Sequence, residues 1–135
     1  VSLVANNWTL SMSSTFPEAN AENTRESLLD GSFGTGAATN KRIGGDSWIQ
    51  ATFPSAVTVT SITIAPLHKT NSVWGSKNGN GGHLQYSNDN RNWITIGNIN
   101  YVNEQQQTIN VNNITAQYWR LLNSSYLGTS SFIFK

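Results

Sequence analysis

Cysteine is absent from the 135 residues. No disulfide, thiolate nucleophile or Cys-ligated metal can form, and the redox compartment stays open. Charge is scarce as well: Asp, Glu, Lys and Arg make up 11% of the chain and the formal net charge is +1. That leaves no polybasic surface, which excludes nucleic acid as a partner and gives an anionic membrane little to hold. No apolar run is long enough to span a bilayer as a helix. What remains is a chain whose polarity comes from Asn, Ser, Thr and Gln. Such a surface suits ligands recognised by hydrogen bonds, and it equally suits solvated loops.

Against that background the apolar residues follow a period of two. Ile49, Ala51 and Phe53 alternate with polar neighbours, as do Ile62 and Ile64, and Ile109 and Val111. Segments 8–12, 118–122 and 131–134 read the same way. Alternation of this kind marks half-buried strands, and Thr, Val, Ile, Trp and Tyr supply the strand propensity. Leu84 with Tyr86, and Ile94 with Ile96, give two more short strands joined by the turn 87–92. That turn holds only Ser, Asn, Asp and Arg, and Asn and Asp tolerate left-handed backbone and bond to nearby amides. Helical periodicity is missing, apart from a possible single turn within 22–29. Short strands between Gly-, Pro-, Asn- and Ser-rich loops predict an all-β, antiparallel β-sandwich or jelly roll, in one domain of 135 residues. The longest irregular stretches are 13–45 and 67–80, and loops of that length often carry function.

The sequence offers no reaction centre. Its acids are Glu18, Glu22, Glu26, Asp30, Asp46, Asp89 and Glu104. None forms the alternating carboxylate pattern on a strand that a jelly-roll glycosidase needs to flank one bond. No serine sits in a Gly-x-Ser-x-Gly elbow. His68 and His83 are isolated and lack zinc-ligand spacing. The glycines of 75–82 lack the Gly-Lys-Ser/Thr ending of a phosphate loop. A binding module is expected rather than an enzyme.

Six motifs in order carry a resemblance. Ser13-Ser14 precedes Leu28-Leu-Asp-Gly31, then Gly45-Asp-Ser-Trp-Ile-Gln-Ala-Thr-Phe53 and Val59-Thr-Ser-Ile-Thr-Ile64. Leu84-Gln-Tyr-Ser-Asn-Asp89 with Trp93, then Ala116-Gln-Tyr-Trp-Arg-Leu121, lead to Phe132-Ile-Phe134. From about Ser13 to the C-terminus the chain resembles the discoidin family, the coagulation factor 5/8 type C domains, and the related carbohydrate-binding modules of family 32. The resemblance implies an eight-stranded, galactose-binding-domain-like jelly roll with both termini at one end. It implies ligand binding by loops at the other end, without catalysis. Members bind galactose-type sugars, phospholipid headgroups or proteins, and fold alone does not choose among them. A glycan partner is the first expectation, a protein-interaction or adhesion role the alternative, and a phospholipid surface the third. The module is expected outside the cell or at its surface, within a larger multidomain protein or used multivalently.

The same resemblance implies a structural Ca2+ near the Asp-Gly motif, with Asp30 and Thr35 at the ligand positions. Where the family has a Glu just before its last strand, this chain has Ser131, which removes a carboxylate from that site. Candidate ligand-binding residues lie in the loops. Trp74 stands in a polar, Gly-rich stretch, where its ring either stacks on the C–H face of a sugar or plugs the loop onto the sandwich. His68 occupies the loop position from which relatives bond a ring hydroxyl, and an imidazole can both donate and accept. Lys69 follows it. Arg42, beside Lys41, offers a planar fork of donors, or a solvated loop charge. Tyr126 supplies either an aromatic wall or a cover for the sandwich edge. Trp48, Trp93 and Trp119 read as packing or sheet-surface residues, and His83 as a surface or packing residue opposite Leu84.

Overall fold

The computed structural model describes residues 7–15, 23–32, 35–39, 46–67, 80–102, 105–125 and 127–135. Within them the strands are β1 (Thr9–Met12), β2 (Ala37–Ala38), β3 (Ser47–Ala65), β4 (His83–Ser87), β5 (Ile94–Asn98), β6 (Gln107–Asn123), β7 (Gly128–Thr129) and β8 (Ser131–Phe134). A short 3-10 turn, Glu26–Leu28, lies between β1 and β2. All strand pairings are antiparallel. The expected all-β, eight-stranded jelly-roll sandwich is the observed fold, with β2 and β7 as a two-residue pair too short to leave a sequence period.

Two long strands organise the whole. β3 and β6 pair along nearly their full lengths, from Ser47 opposite Asn123 to Ile64 opposite Gln107. The sequence pattern breaks each of them in two, and the structure shows why. Register shifts fall between Thr52 and Val57 and between Val59 and Ser61. Near them lie Pro54 on β3 and, on β6, Asn112 and Asn113 with φ of 56° and 61°. Asn accepts left-handed backbone more readily than most residues, and extra residues in one strand bend and twist a ribbon. The paired ribbon therefore turns from one layer into the other. Its first half joins β1 on one side and β4 then β5 on the other, while its second half joins β8.

Between the layers sits an aromatic core. Phe53 meets Phe134 edge-on at 5.2 Å, Phe132 lies 4.7 Å from Phe134, and Trp119 lies 5.8 Å from Phe134. Trp8 closes the cluster against both phenylalanines of β8. Ile49, Ala51, Ile62, Ile64, Leu84 and Leu121 are fully buried around them. These are the inward positions that the period of two selects.

The bend also sorts the ends of the molecule. Thr9 pairs with Thr52 next to it, and the Lys135 carbonyl accepts from the Thr60 and Ser61 amides. At the opposite end lie Asp46 before β3, Gly82 before β4 and Asn123 at the close of β6.

Candidate binding site at the loop end

At this end the chain is held by backbone contacts between irregular segments. The Thr39 amide donates to the Leu127 carbonyl, and the Leu127 amide returns a bond to Thr39 Oγ1, both at 2.8 Å. The Ala65 carbonyl accepts from the Ser130 amide and from Thr129 Oγ1. The Tyr101 amide donates to Asn80 Oδ1. Gly81, at φ +89°, turns the chain into β4, and its neighbour Gly82 is tied to Ile99. A left-handed residue is required there, which glycine adopts without a Cβ penalty.

Beside the Gly81–Gly82 turn lies a recess of about 230 Å³ lined by Asp46, Gly81, Gly82, His83, Leu122, Asn123 and Ser124. His83 and Leu122 are direct partners across β4 and β6, so they share the outer face of the sheet. His83 Nδ1 pairs with Asn98 Oδ1 at 2.9 Å. An amide oxygen only accepts, so Nδ1 donates in this pair. The recess thus combines an imidazole, a carboxylate, an amide and a hydroxyl around one aliphatic side chain. That mixture can hold a polyhydroxylated ligand by hydrogen bonds.

One row further along the same face lies a second cluster. Gln50, Arg120 and Gln85 are in register across β3, β6 and β4, and Thr95 of β5 follows. Arg120 Nε donates to Gln85 Oε1 at 2.8 Å, and its guanidinium lies 4.0 Å from the Trp93 ring centroid. Gln50 Nε2 reaches Asn90 Oδ1 at 3.1 Å. The turn between β4 and β5 therefore folds over the outer face and pins Arg120 beneath Trp93. Burial lowers the Arg120 pKa, and the Asp46 carboxylate opposes that shift. The guanidinium remains charged.

His68, Lys69, Trp74, Arg42 and Tyr126 lie outside the described residues. Their described flanks converge. Asp46 follows 40–45, Asn80 and Gly81 follow 68–79, and Ser124 and Leu127 stand near Tyr126 on either side. Asp46, Gly81 and Ser124 line the one recess. His83, Asp46 and Asn123 were not singled out as binding residues in the sequence. The available signal for His83 was its outward position opposite Leu84 in β4.

The two metal candidates do come together. Thr35 Oγ1 donates to Asp30 Oδ2, the Ser32 amide donates to Asp30 Oδ1 at 2.9 Å, and Gly31 takes φ +72°. Calcium takes six to eight oxygens and draws its affinity from charged ones. The described residues hold no group of three His, Cys, Asp or Glu side chains that could hold a metal ion. Here one carboxylate, already accepting two hydrogen bonds, and one hydroxyl come together among the described residues.

A two-layer sandwich that presents a polar recess at one end of its sheets is the architecture of a binding domain. The family model of the NedA-like, galactose-binding domain, of F5/F8 type C kind, matches residues 27–121, and the chain belongs to that family. Among solved structures, the chain is similar to CpGH89CBM32-5 from Clostridium perfringens, in complex with GalNAc-beta-1,3-galactose. The TM-score is 0.74 at 18% identity, over 98% of this chain and 99% of that one. It is similar to chitosan-binding module 1 of a chitosanase/glucanase from Paenibacillus sp. IK-5, with a TM-score of 0.72 at 19% identity, over 100% and 99%. It is also similar to the family 32 module of NanJ from C. perfringens, in complex with galactose, with a TM-score of 0.66 at 17% identity, over 94% and 92%. At these identities the likeness is one of fold. No curated protein sequence matches.

Proposed function

We propose that this domain is a non-catalytic carbohydrate-binding module that holds galactose-type or related glycans at its loop end. The observation that carries the reading is the recess formed by Asp46, His83, Leu122 and Asn123, into whose rim the flanks of three candidate loops converge. Rigid strand ends hold hydroxyl-binding groups in place, so little ordering is needed on binding. The family match and the galactose-bound structures of similar fold support the choice of sugar class. In this reading Trp74 and Tyr126 supply stacking surface, and His68, Lys69 and Arg42 bond hydroxyls alongside His83. Catalysis is not part of this reading.

A shallow site of this kind binds weakly, and useful strength comes from repetition or from attachment to a larger protein acting outside the cell. Calcium at Asp30 and Thr35, with Ser131 in place of a second carboxylate, would bind at about millimolar strength, the weak end of such sites. The test of function is calorimetric titration with galactose-terminated oligosaccharides, on the wild type and on His83→Ala and Trp74→Ala. Binding by the wild type and a several-fold loss in each variant supports the reading. No heat and no competition at millimolar sugar removes it.

A further inference from the structure

A second recess lies at the other end of β4, away from the loop end. It has about 230 Å³ and is lined by Tyr86, Ser87, Asn88, Asp89, Asn92 and Ile94. Tyr86 and Ile94 are direct partners across β4 and β5. Ile94 is 51% exposed, one of two large apolar side chains so exposed among the described residues. Tyr86 is half-buried and rests on Trp119, with ring centroids 5.8 Å apart, which fixes its orientation. Together they make a small apolar strip at the edge of the sheet, bordered by amides, a hydroxyl and a carboxylate.

The border is preorganised. Ser87 Oγ donates to Asp89 Oδ1 and accepts from the Asp89 and Asn90 amides. Asp89 also accepts from the Arg91 and Asn92 amides and from Asn92 Nδ2. Donation by the Asn92 amide, then by Arg91, Ser87 and the Asn92 side chain, holds its carboxyl well below the usual carboxylate range. No cation pairs with this carboxylate among the described residues. Its Oδ2 accepts only from Asn92 in that set, and an oxygen with two lone pairs can take another donor.

We propose that this recess is a second sugar subsite, selective for a hexosamine unit with a free ammonium group. The pyranose C–H face packs on Tyr86 and Ile94, and the ammonium donates to Asp89. A uronic acid would place like charge against Asp89. The two recesses lie at opposite ends of β4, so one module could engage two points on a glycan surface, which multiplies weak affinities.

The test is an amide NMR titration at low salt with a β-1,4-linked glucosamine trimer, its fully N-acetylated form and a galacturonate trimer. The expected result is shifts confined to 86–94 with the glucosamine trimer. The acetylated form should bind about two- to fivefold more weakly, as expected for an exposed ion pair, and galacturonate should not bind there. Asp89→Asn keeps an acceptor for the turn but removes the charge, and should abolish the preference for the free amine. Ile94→Ser leaves Asp89 untouched and should weaken both glucosamine forms. Equal binding of acetylated and free trimers would overturn the inference, as would shifts only at Asp46, Gly81–His83 and Asn123–Ser124, or none at all.

Discussion

At Arg120 three interactions meet: a hydrogen bond to Gln85, a ring face from Trp93 and the field of Asp46. A planar guanidinium can satisfy all three, whereas an ammonium cannot stack in the same way. Trp93→Ala should cost about 1 kcal/mol by removing the cation–π contact. Arg120→Lys should cost a similar amount, and the double variant should show coupling when urea midpoints are compared. Additive losses would mean the contact contributes nothing. The sequence identified Trp93 and Trp119 as packing or sheet-surface residues, and burial separates them: Trp119 is fully buried and Trp93 covers the outer face. Which aromatic goes inward follows from strand parity for Trp119. It could not be read for Trp93, which lies in the turn before β5, where no period applies.

Among the elements, the β4–β5 hairpin was legible because alternating apolar pairs flank a turn of Ser, Asn and Asp. The β3–β6 ribbon was legible only in halves, since a bend interrupts the very alternation that reveals a strand. The β2–β7 pair left no mark, being set by tertiary contact. There Gly36 lies so close to Thr129 that an added Cβ would sit 2.1 Å from its carbonyl oxygen. Gly36→Ala should therefore destabilise the domain by about 1–3 kcal/mol through overpacking, measured by chemical unfolding. A neutral outcome would mean that the β2–β7 segment moves aside freely. The hairpin turn gives a pH prediction. Asp89 has a depressed folded-state pKa, so its contribution is complete above its unfolded value of about 4 and is lost as pH falls through that value and below. Asp89→Ala should lower the unfolding midpoint at neutral pH, and the gap to wild type should close in acid. A gap that is constant from neutral pH down to about pH 2 would contradict the linkage argument.

For the molecule as a whole, a two-layer fold was legible from the order of motifs. The chemistry of the recess was not, because Asp46, His83, Leu122 and Asn123 come from three strand ends far apart in sequence. The core predicts that Phe134→Ala, which removes the ring touched by Phe53, Trp119 and Phe132, costs about 3–5 kcal/mol in stability. Calcium should matter less. A thermal melt with millimolar CaCl2 or with chelator should shift the midpoint only slightly, as mass action at a weak site allows. A large calcium-dependent rise would mean that more oxygens reach the Asp30 loop than the pair described here. The most direct measurement is an amide NMR titration of the domain with a galactose-terminated disaccharide. The account predicts saturable shifts clustered at Asp46, Gly81, Gly82, His83, Asn123 and Ser124. Unmoved resonances at those positions, with the sugar at millimolar concentration, would contradict it.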